Sequence, residues 1–254
     1  MMLSRFFLAV VFMMGVCCKS QTPAFRVEIV QPTMEHAAAS IWRTIDAFTF
    51  LEEKAYKIHL PSHPLIDSLI MKSKKGTFGN KDFSSIRTLL ETEVFHRGNY
   101  QKALHTVERH IASINNLVQA IASKKSQWDW DFKIFDTYRI VLTLYGTGGS
   151  YDPDEGIITL MTDKAGGFKK YTNPVNTIIH EIVHIGMELS IVQKYSLSHE
   201  LKEKLVDTFV HIFFNEKLPD YKIQNMGGID IDMYINNKED IGSLNAILSE
   251  FVKR

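Results

Sequence analysis

Near the middle of the chain, His180, Glu181 and His184 have the types and spacing of a hydrolytic metal centre, HExxH. On an α-helix the two histidines stand one turn apart on one face, with Cβ atoms about 5–6 Å apart. Each imidazole can then offer a nitrogen to a single Zn²⁺ at about 2.0–2.1 Å. Glu181 lies about 100° around such a helix from His180, beside the ion rather than on it. There it can take a proton from a metal-activated water.

The flanking residues supply that helix. Asn173 is a good N-cap and Pro174 suits the first helical position. From Val175 to Ile191 the chain has no proline and a single glycine, Gly186. Apolar residues fall on nearly every side, the composition of a helix buried in a domain interior. Buried ionisable groups are costly unless they are paired or hold a metal, so a merely decorative trio on a surface is the weaker reading.

A third ligand must come from elsewhere. Glu188 shares the histidine face but stands eight residues beyond His180, about 12 Å up the axis. Glu203 follows His184 after eighteen intervening residues, and Asp207 comes one turn later. Ser198 can cap a second helix there, with Glu200 in its first turn. Leu201, Leu205, Thr208, Phe209, Ile212 and Phe213 would be its core stripe, flanked by the carboxylates of Glu203 and Asp207. Glu200 shares that side and is the alternative ligand.

HExxH, an eighteen-residue gap and Glu-x-x-x-Asp together resemble the gluzincin branch of the zincin metallopeptidases. The resemblance covers residues 173–207, and no specific family is recognised over the rest. It implies one zinc ion held by His180, His184 and Glu203, with Glu181 as general base. Asp207 would then hold His180 in its tautomer. It also implies an α+β, mostly helical, zincin-like fold with a small antiparallel sheet packed on the HExxH helix. The activity implied is cleavage of a peptide or protein substrate. The metzincin pattern is excluded, because Met187 and Ser190 stand where it requires glycine and a third histidine. A deformylase would need an upstream cysteine ligand, which is missing. The rival classes are a zinc-binding structural or interaction protein without turnover, and a helical interaction module without metal. An intact Glu181 disfavours the first, since a structural site does not need a base.

Hydrolysis also needs a donor for the developing oxyanion. Tyr195, His199, His211, Tyr221 and Tyr234 are available, and spacing does not choose among them. His211, one turn past Asp207, suits a partner of that carboxylate equally well.

The 254 residues are 45% apolar with a formal net charge of zero. That is enough chain for a good core, and it gives no basis for nucleic acid or an anionic membrane surface as partner. Arg5 followed by the thirteen apolar or small residues Phe6–Cys18 reads as a signal peptide over 1–20, too short for a bilayer core of about 30 Å. Export to a periplasmic, secreted or lipid-anchored location follows. Lipidation at Cys18 is the alternative, disfavoured by Cys17 before it, and would be the sole membrane attachment. Both cysteines lie in this leader, so no disulfide is expected in the mature chain.

Residues 21–254 read as one metallopeptidase domain, with a helical scaffold half (21–127) and a half carrying the sheet and metal helices (128–254). Phe25–Val30 reads as an edge strand. Helices are expected over 33–57, 64–74, 82–95, 99–123 and about 240–252. Between Trp128 and Thr162 the period changes to two, giving strands over 138–145 and 157–161 around a turn-rich loop. The resemblance makes Ile157–Met161 a sheet edge lining the cleft. Gly146–Gly149 lacks a phosphate-loop ending, and Asp152, Asp154 and Glu155 lack a calcium-loop pattern.

Overall fold

The computed structural model describes residues 25–169, 172–224 and 230–253. The expected leader, with Cys18, lies outside the described residues. The protein is α+β, mostly helical, with strands β1 (Arg26–Val30), β2 (Thr137–Thr143), β3 (Ser150–Asp152) and β4 (Ile157–Met161) in the order β1-β2-β4-β3.

The sheet is mixed rather than antiparallel. β1 and β4 both run parallel to β2, and β3 alone is antiparallel, to β4. The loop after β2 carries β3 to the outer edge, and a turn at Gly156 (φ 63°) returns the chain as β4 between β2 and β3. Alternation identifies strands but not their direction, and β3 is only three residues long, too short to read from period. β4 is therefore interior along Ile157–Thr159, and the edges of the sheet are β1 and β3. Both central strands are buried almost continuously, as parallel strands covered on two faces are.

The expected helix over 33–57 divides at Ala47 into α1 (Met34–Asp46), capped by Thr33, and α2 (Phe48–Glu53). α3 (Pro64–Lys74) follows as expected, and α4 (Phe83–Leu89) continues to Val94 as a wider π-type turn. The expected 99–123 helix bends between α5 (Gln101–Glu108) and α6 (Ile111–Ala122), where the His110 N–H bonds to Val107 in a tightened turn. After α7 (Pro174–Met187) and α8 (His199–Phe214), the chain closes with α9 (Lys238–Gly242) and α10 (Leu244–Phe251).

Two cores result. α5 and α6 pack with the sheet and the C-terminal helices around α7, while α1, α3 and α4 form a smaller core through Ile41, Ile45, Ile66, Leu69 and Ile86. The helical half is thus shared between two cores. α7 is buried along its length apart from the half-exposed Thr177. Its glycine is a packing requirement: a Cβ on Gly186 would lie 2.1 Å from Cζ of Phe132. Continued to Gln193, this stretch is long and apolar enough to cross a membrane, but it is mostly buried within the protein, as a core helix is.

Candidate metal centre

α7 and α8 pack side by side and bring the two halves of the motif together. Asn173 starts α7 by accepting the Val175 N–H at 3.0 Å, with Pro174 at the first helical position. Ser198 starts α8 by accepting the Leu201 N–H at 3.2 Å. His180 and His184 then face Glu203 across the seam.

Donor atoms of three side chains converge there. Nε2 of His180 lies 3.1 Å from Nε2 of His184. Oε2 of Glu203 is 3.4 Å from His180 Nε2, and Oε1 is 3.3 Å from His184 Nε2. A tetrahedron built on bonds of about 2.0–2.1 Å has edges of about 3.3 Å. The two imidazole nitrogens are separated by close to such an edge, each has one Glu203 oxygen at a similar distance, and one donor atom from each residue lies within 4.8 Å of the others. A metal ion can be held by this group.

The outer atoms of His180 are equally constrained. Its Nδ1 lies 2.6 Å from the Tyr221 hydroxyl, which donates at 2.5 Å to Oδ1 of Asp207. Because the hydroxyl's one proton goes to Asp207, it accepts from Nδ1–H, so Nε2 becomes the lone-pair nitrogen toward the trio once the ring is neutral. Asp207 is fully buried and takes the Gln224 N–H on Oδ2 at 2.6 Å. The Gln224 side chain reaches Glu203 Oε2 at 3.3 Å.

Charge is concentrated here. Burial alone would lower the His180 imidazole, but Asp207, Glu203 and Glu181 outweigh it and push it up to about 9. Burial dominates at His184, helped by the neighbouring His180, and brings it down to about 4. For Glu203, burial opposes ionisation, yet His180 and His184 hold the carboxyl far below its usual range. A cation at the three donors would neutralise the charge they share.

Glu181 is buried beside the trio and lines a cleft of about 460 Å³ with His180, His184 and Glu203. Gly149, in the loop before β3, lies against it. A Cβ there would stand 2.3 Å from Glu181 Oε1 and 2.7 Å from Thr177 Cγ2, so any side chain at 149 would displace the carboxylate or the loop. Across the cleft, Phe50, Leu51 and Tyr56 from the N-terminal half face Leu160, Met161 and Phe168.

The remaining sequence candidates scatter. Glu188 accepts the Tyr151 hydroxyl at 2.9 Å instead of joining the trio. Tyr151 itself stacks on His184 at 4.8 Å and 8°. Glu200 lies outside the trio, half-exposed and paired with Lys54 at 2.9 Å. Tyr195 bonds Asn245 at 2.8 and 2.7 Å, His211 is exposed, Tyr234 packs on Phe251, and none of the three lines the cleft. Tyr221 is committed to His180 and Asp207. His199 does line the cleft, with Nε2 at 3.0 Å from the Tyr56 hydroxyl and Nδ1 at 3.9 Å from Glu203. Tyr56, Tyr151, Gly149 and Gln224 carry no spacing signal and are visible only in three dimensions. No family model, curated protein or solved structure matches this chain.

Proposed function

We propose that the protein is a zinc-dependent hydrolase of the zincin type, cleaving peptide bonds with Glu181 as general base. The observation that carries this reading is the convergence of His180, His184 and Glu203, whose ring nitrogens lie 3.1 Å apart with a carboxylate oxygen 3.3–3.4 Å from each, opening with Glu181 into one cleft. Two imidazoles and one carboxylate form a familiar catalytic zinc donor set, leaving a position open. Zinc bound there would supply Lewis acidity, polarising a carbonyl and acidifying water.

The residues around it divide the work. Tyr221 and Asp207 fix the His180 ring and its tautomer. Glu181, beside the ligands and packed close to Gly149, accepts a proton from the attacking water and returns it to the leaving amine. His199, together with Tyr56, stands where a donor can meet the substrate carbonyl. Phe50, Leu51, Leu160, Met161 and Phe168 hold the substrate and exclude water.

The test is zinc analysis of the purified protein, followed by comparison of wild type and Glu181→Gln on a degenerate peptide pool. Bound zinc with cleavage lost in the variant supports the hydrolase. Zinc without cleavage in wild type supports a structural zinc protein instead, and absence of zinc overturns both readings.

A further inference from the structure

Beside the catalytic cleft lies a second open basin of about 550 Å³, lined by Leu60, Pro61, Ser62, Val94 and Leu144 among others. Met161 and Lys169 line both basins, which are therefore neighbours. The boundary between them is fixed. Met161 is buried at the end of β4. Lys169 donates to the carbonyl of Lys57 at 2.7 Å and to that of Thr147. Reciprocal backbone bonds of 2.8 and 2.9 Å between His59 and Gly146 tie the same two segments together. The charged side chains around the second basin offset one another, Glu93 and Asp163 against Lys164 and Lys169, so it selects no charge.

We infer that this basin receives a further stretch of the same polypeptide substrate, seating a neutral, apolar side chain against Leu60, Val94 and Leu144. The inference rests on the peptidase reading and specifies its substrate class: extended chains, with peptides too short to reach the second basin handled poorly. Successive residues of an extended chain advance about 3.3–3.6 Å, so one strand of substrate can pass from the first basin into the second. Contacts remote from the scissile bond then contribute to kcat/KM.

End-blocked degenerate decapeptide and tripeptide pools test this in two ways, by cleavage with the zinc-loaded protein and by retention on immobilised Glu181→Gln protein. Ser62→Trp at the rim and Val94→Trp in the wall narrow the second basin, with zinc content and melting temperature reporting folding. The expected result is a preference for decapeptides of at least about tenfold, abolished by either tryptophan, with tripeptides unaffected. Equal handling of the two lengths, or equal losses for both in folded tryptophan variants, overturns the inference while cleavage itself upholds the peptidase reading. Length-dependent, tryptophan-sensitive retention without cleavage upholds the groove and overturns the peptidase. Failure of both retention and cleavage overturns both.

Discussion

His180 and Asp207 stand 3.3 Å apart, Nδ1 to Oδ1, with the Tyr221 hydroxyl within hydrogen-bonding distance of both atoms. This relay turns Nε2 toward His184 and Glu203. Groups that orient a ligand in this way commonly carry about 10–100-fold in metal affinity or activity. Asp207→Asn is expected at the upper end of that range and Tyr221→Phe near the lower, since phenylalanine keeps the ring but lets Asp207 approach. Competition with a chelator of known affinity measures both, and wild-type affinity in Tyr221→Phe would show the relay to be incidental.

Metal uptake should release a proton. The metal-free His180 imidazole is raised to about 9, so near neutrality it is protonated and must give up the Nε2 proton to bind a cation. Apparent affinity should therefore rise with pH toward about 9. The raised value also makes the charged His180 a stabilising group in the metal-free protein. That contribution is complete below the ordinary value of 6.5 and lost as pH climbs through about 9. Calorimetric titration in buffers of differing ionisation heat counts the proton; a buffer-independent heat would refute the assignment.

Gly149→Ala should damage turnover more than folding. The added Cβ collides with the Glu181 carboxylate and Thr177, and small displacements of a reacting group can cost about a hundredfold. Zinc content and melting temperature should stay near wild type while kcat falls. A variant with unchanged kcat would mean that the loop shifts freely and does not place the base.

Gly186→Ala should do the reverse and act on stability. Phe132 is fully buried, and its Cζ would lie 2.1 Å from the new Cβ; overpacking of this kind costs about 1–3 kcal/mol. Phe132→Leu should relieve part of the clash, so that the double variant is more stable than the two single losses predict. Additive losses from denaturant titrations would place the strain elsewhere.

What the chain disclosed in one dimension was governed by local order. Asn173, Pro174 and Ser198 fix helix starts through bonds to residues a few positions away, and the HExxH spacing survives because one helix carries it. Glu203 was findable because a second helix begins at a legible cap. Tyr221 and Gln224 come from a loop without period, and Tyr56 meets His199 across 143 positions, a separation that no pattern of spacing encodes. Strand direction was likewise hidden, because β2 and β4 look the same from either end until β3 is seen outside them.

The wall formed by Phe50, Leu51 and Tyr56 comes from a segment whose neighbouring helices have a core of their own, far in sequence from the ligands it faces. Under the proposed hydrolase reading, the residues assigned to bond cleavage and part of the wall assigned to holding substrate are therefore written in different stretches of the gene. On that reading, mutation of Phe50, Leu51 or Tyr56 would retune which peptides are cut while leaving the chemistry intact.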